Sequence, residues 1–419
     1  MERFGGAYEA FIIFDADSVM SASTVVKLAT TLAANPKVAL IQTSPRLVGA
    51  TTLFGRLQQF AVAHYGPVFS AGFAAWHQGS GNYWGHNAIV RTRAFAEAAG
   101  LPSLHGAPPL GGYIQSHDFV EAAFLRRAGW QVWMLPDLMG SYEGCPPTLI
   151  DTAVRDRRWA QGNLQHIRIV TASRLPWVSR LHLAMGTYAY FASVFWALSL
   201  VVGTALSIQS AFTIPVYFTE QRTLFPVWPV IDPAKALYLF MGTIAVVLLP
   251  KVLGVVLVLF QGEATGRAGW FLLGVLTEVV FSVLIAPIFM LTQTSAVWQI
   301  LRGKDSGWSV QRRDGQAFAP KDLLRFHAWH MLLGAGAAAL CAVTSWYVLA
   351  WMAPIILGLL LSPYLSGLTS KAAAPWLSRA LATTDTVSPP PIAQAMDRAY
   401  PDWRRRLASR ESAGHANKS

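Results

Sequence analysis

"EAFIIFDADSVM", residues 9–20, runs through five apolar residues and then meets two carboxylates separated by one alanine. A short, continuous apolar run closed by polar residues reads as a strand covered on both faces, as in a buried parallel sheet. Open α/β sheets collect ligands at the carboxyl ends of their strands, and Asp15 and Asp17 fall at that place. Alternate residues can point the same way, so both carboxylates could serve one ligand. Two hard oxygen donors suit Mg²⁺ or Mn²⁺ holding a diphosphate. The competing reading is a solvated turn whose Asp17-Ser18 caps the next helix.

Outward from this stretch, the chain of 419 residues divides by composition. Hydrophobic residues make up 53% and charged residues 13%, against about 25% charged in soluble domains, so a large part is expected in lipid. The net charge of +11 fits a membrane protein with basic cytoplasmic loops better than a nucleic-acid binder. The basic residues are scattered over helix ends and loops, with no RNA-type motif among them. Cys145 and Cys341 lie far apart and offer neither a disulfide framework nor a zinc spacing. Residues 1–187 mix short apolar runs, Gly-rich turns and helical patterns, as an α/β domain does. Residues 188–369 are dominated by long apolar runs, and 370–419 form a polar tail with "SPPP" at 388–391 and "RRR" at 404–406. The tail is expected to be loosely ordered and cytoplasmic.

Four runs are long enough to cross a bilayer, taking about 20 residues per span: 188–209, 236–260, and a tight hairpin of 331–351 and 353–368. Pro250-Lys251 in the second predicts a kink and a polar contact inside the bundle. The run Trp270 to Thr292 is apolar enough to span, but the charge pattern argues otherwise. The following loop, 293–330, carries Arg302, Lys304, Arg312, Arg313, Lys321 and Arg325, which places it in the cytoplasm, on the side the chain has already regained near residue 261. Residues 270–292 are therefore expected to lie in the interface or to re-enter, broken near Pro287 and carrying Glu278. A fifth full crossing is the alternative.

Two more segments carry chemistry. "SHDFVEAAFLRRAGW" (116–130) reads as a helix with Ser116 as N-cap and Asp118 in its first turn, a position that also simply favours the helix dipole. "RDRRWAQGN" (155–163) sets Arg155, Arg158, Trp159 and Gly162 on one helical face. Taken alone, this is equally a basic amphipathic helix on the membrane surface.

In order and spacing, these three segments resemble the processive, membrane-embedded family-2 glycosyltransferases, known by a D-x-D, a T-E-D and a Q-x-x-R-W motif followed by transmembrane helices. D-x-D is intact here, T-E-D survives only in Asp118, and Arg155 stands where the family has glutamine. The wording is closest to the branch that makes osmoregulated periplasmic glucans. The resemblance implies a partial GT-A nucleotide-sugar fold (α/β) followed by an α-helical transmembrane bundle. It implies UDP-glucose as donor, a growing glucan as acceptor, and Mg²⁺ (or Mn²⁺) held by Asp17 with Asp15. Asp118 would be the catalytic base of an inverting transfer, kept ionised by its first-turn position. Arg155 and Arg158 would bind the diphosphate, and Trp159 would offer a platform to a sugar. "GSGNYWGHNAIVRTRAF" (79–95) resembles the acceptor-side segment, where Trp84, His86 and Asn87 could line the site. The plainer reading is a Gly-rich turn before a strand. His86 has no spaced partner for a metal. Trp196 and Trp346 could contact sugar faces in the membrane or belong to interface belts. "WSVQRRDG" (308–315) resembles the family's gating loop, with Trp308, Val310, Arg313 and Gly315 matching in kind, which implies a cytoplasmic gating-type loop near 302–325.

The implied location is the bacterial inner membrane, multi-pass, with the catalytic domain and C-terminus cytoplasmic and a periplasmic glucan-processing protein as partner. In the family the nucleotide-sugar fold begins several strands before D-x-D. "MERFGGAYEA" (1–10) cannot supply them, so the sequence is expected to be the carboxy-terminal portion of a longer protein, inactive alone. The alternatives are a cellulose- or chitin-like synthase, or a non-catalytic polysaccharide export subunit.

Overall fold

The computed structural model describes residues 6–213, 233–262, 267–305 and 318–399. Strand β1 (Ala10–Ile13) is followed by β2 (Val19–Met20), α1 (Ala22–Ala34), β3 (Val38–Thr43), β4 (Arg46–Leu47), α2 (Leu53–His77), β5 (Ala88–Arg91), α3 (Thr92–Ala98), α4 (His117–Arg127), β6 (Gln131–Leu135), β7 (Ser141–Glu143) and α5 (Leu149–Gln165). Then come the long helices α6 (Trp177–Phe212), α7 (Pro233–Phe260), α8 (Ala268–Leu301), α9 (Pro320–Thr344) and α10 (Trp346–Leu360), and the short α11 (Ser362–Thr369), α12 (Pro375–Ala380) and α13 (Thr384–Val387). An α/β region followed by a helical bundle is the expected fold class.

The strands form two sheets, in the orders β1-β5-β3-β6 and β2-β7-β4. Alternation along β1 explains its unbroken apolar run. Phe11 and Ile13 pack into the core of Leu40, Val90 and Leu125 on one face, while Ala10 and Ile12 pack against the cluster of Leu28 and Ile41 on the other. One expectation is overturned: β1 is not a buried parallel strand. It pairs antiparallel with β5, stands at the sheet edge and is only half-buried. An apolar run reports that both faces are covered. It does not report the direction of the neighbour, and here β5 leaves the glycine-rich turn to run back between β1 and β3.

Helix α6 begins at Trp177, so the expected boundary at 187/188 falls inside one uninterrupted helix. Its first three turns bury Ser179, His182 and Leu183 in the α/β region, and the rest is apolar and mostly exposed, as lipid-facing helices are. Among the described residues, four helices, α6 to α9, are long and apolar enough to cross a membrane, or five if α10 and α11, bent by 58°, form one span. The expected hairpin boundary shifts: the chain turns at Ser345, whose hydroxyl accepts from the Tyr347 N–H at 3.2 Å.

Helix α8 corrects a second expectation. It runs unbroken through Pro287 for 34 residues. The proline is accommodated because α10 presses Gly358 against Leu284 and Pro287, leaving no room for a side chain there. Yet both ends of α8 lie against the α/β region, Phe271 beside Leu57 and Phe60 and, at the other end, Val297 and Ile300 beside Ala160 and Leu164. The predicted polar contact of Lys251 is also present: its Nζ donates to Glu278 Oε1 at 2.8 Å and Oε2 at 2.7 Å.

The tail expected to be loose is docked over 370–399. The Leu53 N–H donates to Lys371 O at 2.7 Å, Leu381 is fully buried against Phe60 and Phe271, and Ala393 is buried beside Val48 and Tyr142. Polar composition concealed a spaced set of apolar anchors. The "RRR" at 404–406 and the gating-type motif at 308–315, Arg313 included, lie outside the described residues.

Candidate active site

The turn after β1 carries the aspartates. The Ser18 N–H closes it by donating to Asp15 O at 3.0 Å, leaving Asp15 exposed and Asp17 half-buried. Strand β2, next along the chain, pairs with β7, whose last residue is Glu143. A Cβ on the following Gly144 would lie 3.0 Å from Asp17 Oδ2, so D-x-D and the end of β7 are in contact. His86 Nε2 lies 3.3 Å from Glu143 Oε2. Burial pushes the Glu143 carboxyl up to about 7; His86 and Arg155 pull it down, and the charges of Asp17 and Asp15 push it further up. Side chains from four segments therefore share one electrostatic neighbourhood.

Asp118 stands in the first turn of α4, as expected. The expectation that the turn alone would set its charge is incomplete. Burial pushes its carboxyl up to about 6, against His117 and the backbone N–H groups of Phe119 and Asp118 itself, which favour the ionised form. The 83–87 loop lies over it. Gly85 adopts φ +90°, a conformation side chains rarely take, and a Cβ there would lie 3.4 Å from Asp118 Oδ2. The Tyr83 hydroxyl donates to Gly85 O at 2.6 Å; its own ionisation is suppressed by burial, then by Glu121, Asp118 and Asp15. Asp118 and Asp15 thus flank the same tyrosine.

Helix α5 carries the arginines. The Thr148 hydroxyl donates to Asp151 Oδ2 at 2.6 Å and accepts from the Asp151 N–H at 3.1 Å, which starts the helix. Gly162 lets α5 meet the start of α4: a Cβ there would overlap the Ser116 hydroxyl. That contact explains why Ser116, the N-cap by position, makes no side-chain capping bond. The Arg155 guanidinium lies 4.4 Å from the Trp159 ring, and Trp159 is 49% exposed. Arg158 shares their half-buried to exposed face.

Not every expected residue faces the site. Asn87 is fully buried; its amide donates to Ser141 Oγ at 2.8 Å and Tyr142 O at 3.2 Å, and its N–H donates to Ile13 O at 2.8 Å. It ties β5 to β1 and β7 and cannot line an acceptor site. Trp84 is half-buried, with its N–H held by Gln42 Oε1 at 3.0 Å. Sequence reasoning missed Glu143, whose only signal is an acid at the end of a short strand before a glycine. It also missed Asp156, which accepts from Tyr190 at 3.0 Å and Gln293 at 2.7 Å and so joins α5 to α6 and α8. Among the described residues, no group of three or more His, Cys, Asp or Glu is arranged to hold a metal ion by itself.

Behind α5 opens a cavity of about 510 Å³ between α2, α5, α6 and α8, whose polar lining includes Gln58, Thr152, Ser193, Glu278 and Gln293. Trp196 lines it too, whereas Trp346 is 77% exposed on the outside of the bundle.

Residues 10–369 match the sequence profile of "Glycosyl transferase family group 2". The chain is 50% identical over 399 residues to "Glucans biosynthesis glucosyltransferase H" of Vibrio cholerae serotype O1, covering 94% of this chain and 55% of that protein. Proteins of the same name from Shewanella baltica (50% identity, 88% of this chain and 51% of theirs) and Rhodopseudomonas palustris (48%, 94% and 55%) are similar. The chain thus spans about half the length of the curated relatives it matches.

Proposed function

Because the chain belongs to glycosyl transferase family group 2, we propose that it transfers glucose from UDP-glucose to a growing β-glucan with inversion at the anomeric carbon. The reaction takes place at the cytoplasmic face of a bacterial inner membrane, and the product leaves through the helices to a periplasmic glucan-processing partner. The observation that carries this reading is the gathering of Asp15, Asp17, Glu143, Arg155 and Asp118 around the 83–87 loop. The relatives' names support glucan as the product.

Asp118 is the base. A carboxylate raised to about 6 is still mostly ionised near neutrality and is a better proton acceptor than an ordinary aspartate. It takes the acceptor hydroxyl's proton as that oxygen attacks the anomeric carbon from the face opposite the leaving UDP. Arg155 and Arg158 meet the negative charge that collects on the departing diphosphate. Asp15 and Asp17, hard oxygen donors on one turn, fit Mg²⁺ (or Mn²⁺), with diphosphate and water completing its shell. When bound, the ion would neutralise charge on the leaving group. The exposed face of Trp159 offers an apolar platform to a sugar ring. The amides, hydroxyls and Trp196 of the adjoining cavity suit a chain of sugars entering the bundle. The gating-type loop bearing Arg313 would close over the nucleotide.

The test uses the protein, expressed from its full reading frame, in nanodiscs with UDP-glucose and Mg²⁺. Asp118→Asn should lose turnover by about 10²–10⁴-fold and keep UDP binding. Asp17→Asn should lose Mg²⁺-dependent UDP binding. Wild-type behaviour in both variants would overturn the reading in favour of a non-catalytic export subunit.

A further inference from the structure

The sheet that carries the site is too small to hold itself. Strands β2, β7 and β4 contribute only two, three and two residues, yet β2 follows the Asp15–Asp17 turn and β7 ends in Glu143. Isolated ladders of this size are not independently stable, so something outside the sheet must fix it.

The docked tail does so. Its beginning is anchored at the bundle: Gly274 of α8 closely approaches Ala380 O, and the Arg379 guanidinium lies 4.7 Å from the Trp270 ring. Its continuation reaches the small sheet. The Arg46 guanidinium on β4 pairs through Nε with Asp385 Oδ2 at 2.9 Å and donates to Thr384 Oγ1 at 3.1 Å. Asp385 sits in the first turn of α13, whose capping box joins Thr383 and Thr386. The pair is well covered, with side chains 23% and 10% exposed. Arg46 is registered opposite Tyr142 and Leu47 opposite Glu143, and the Val48 N–H donates to Glu143 O at 3.0 Å. Ile392 and Ala393 close the far side against Val19, Val48 and Tyr142. On the small sheet the tail bears beside the acids of the site: Val19 is two positions from Asp17, Tyr142 adjoins Glu143, and the Val48 N–H is bonded to Glu143 O.

We propose that residues 371–399 are a clamp for the donor site. In it, Arg46 and Asp385 are positioning residues that set the end of β7, and the D-x-D turn beside it, at the spacing the nucleotide diphosphate and its cation require. Neither touches substrate. The consequence for donor affinity rests on the function proposed above; the clamp itself does not.

The experiment compares wild type, Arg46→Glu, Asp385→Arg and the charge-swapped double variant, each as the full-length protein in nanodiscs. Hydrogen exchange reads the amides of 47–48 and 141–143, with those of the buried strand β3 as the folding control. Initial rates over UDP-glucose read KM and kcat separately. Each single variant should exchange at least about tenfold faster at those amides while β3 stays protected. KM for the donor should rise about five- to tenfold with kcat changed less than about twofold, and the double variant should recover both. Unchanged exchange in the single variants would overturn the clamp. Faster exchange with an unchanged KM would reduce it to a structural support and overturn the positioning role. If wild type did not turn over UDP-glucose, the functional reading would fail while exchange still decided the clamp.

Discussion

Two carboxylates, Glu278 in the bundle and Asp118 in the first turn of α4, are treated in opposite ways. Glu278 is 5% exposed and fully answered: Lys251 reaches both of its oxygens, and the Ser282 hydroxyl donates to Oε1 at 2.6 Å. Asp118 lies under the 83–87 loop, and burial outweighs what its own helix and His117 return to it. Its neighbour across the site, Glu143, is likewise raised, with two more acids adding to the effect. A charge held for structure is matched by the protein itself. In the proposed function, the charges held for chemistry are left partly unmatched for a ligand to complete.

The sharpest way to break this contrast is to unbalance the bundle pair. Lys251→Met strands a buried carboxylate and should lower stability by about 3 kcal/mol, the low end for a broken buried pair because Lys251 keeps a quarter of its side chain exposed. Lys251→Met with Glu278→Leu should recover most of that, measured as thermal unfolding in nanodiscs. Full stability in the single variant would show that the pair is not holding the helices. Gly162→Ala comes next. It wedges a methyl into Ser116 and should cost about 1–3 kcal/mol and lower kcat more than a surface Gly→Ala change does, because α4 carries Asp118, the proposed base.

The smallest expected effect is on pH dependence. Asp118, in its proposed role as base, must be ionised, so kcat/KM should rise with pH through about 6 and level above it. His117 favours the charged form, so His117→Ala should move that limb to higher pH by a fraction of a unit. A shift to lower pH would mean that His117 acts on Asp118 chiefly by excluding water.

How much of this was legible in the sequence follows from what each signal encodes. The D-x-D turn, the first-turn Asp118, the arginine face of α5 and the Lys251 contact were legible because charged side chains in apolar surroundings have few places to go. The direction of β1 was not, because an apolar run is the same whichever way its neighbour runs. Asn87 beside His86 looked like a site residue, but its side-chain amide donates to Ser141 Oγ and Tyr142 O and its backbone groups pair with Ile13 and Thr43. Pro287 looked like a break because the sequence does not show Gly358 across from it. Glu143 and the docked tail depend on contacts between positions far apart in the chain, such as Leu47 with Glu143 in one ladder and Arg46 with Asp385, which local patterns do not carry.

On the function proposed above, the length of α6 sets where the chemistry would happen. Gly186 touches Asn163 and Phe119, the residue next to the base, and the helix then continues to Phe212. At about 1.5 Å per residue that remainder is about 39 Å, enough to cross a hydrocarbon core of about 30 Å and little more. With α6 as a span, Asp118 would stand at the level of the lipid headgroups. An anionic leaflet, at about −30 mV, enriches protons and divalent cations in that layer, so in the proposed role the acidity Asp118 experiences would belong to the membrane surface and not to the bulk solution.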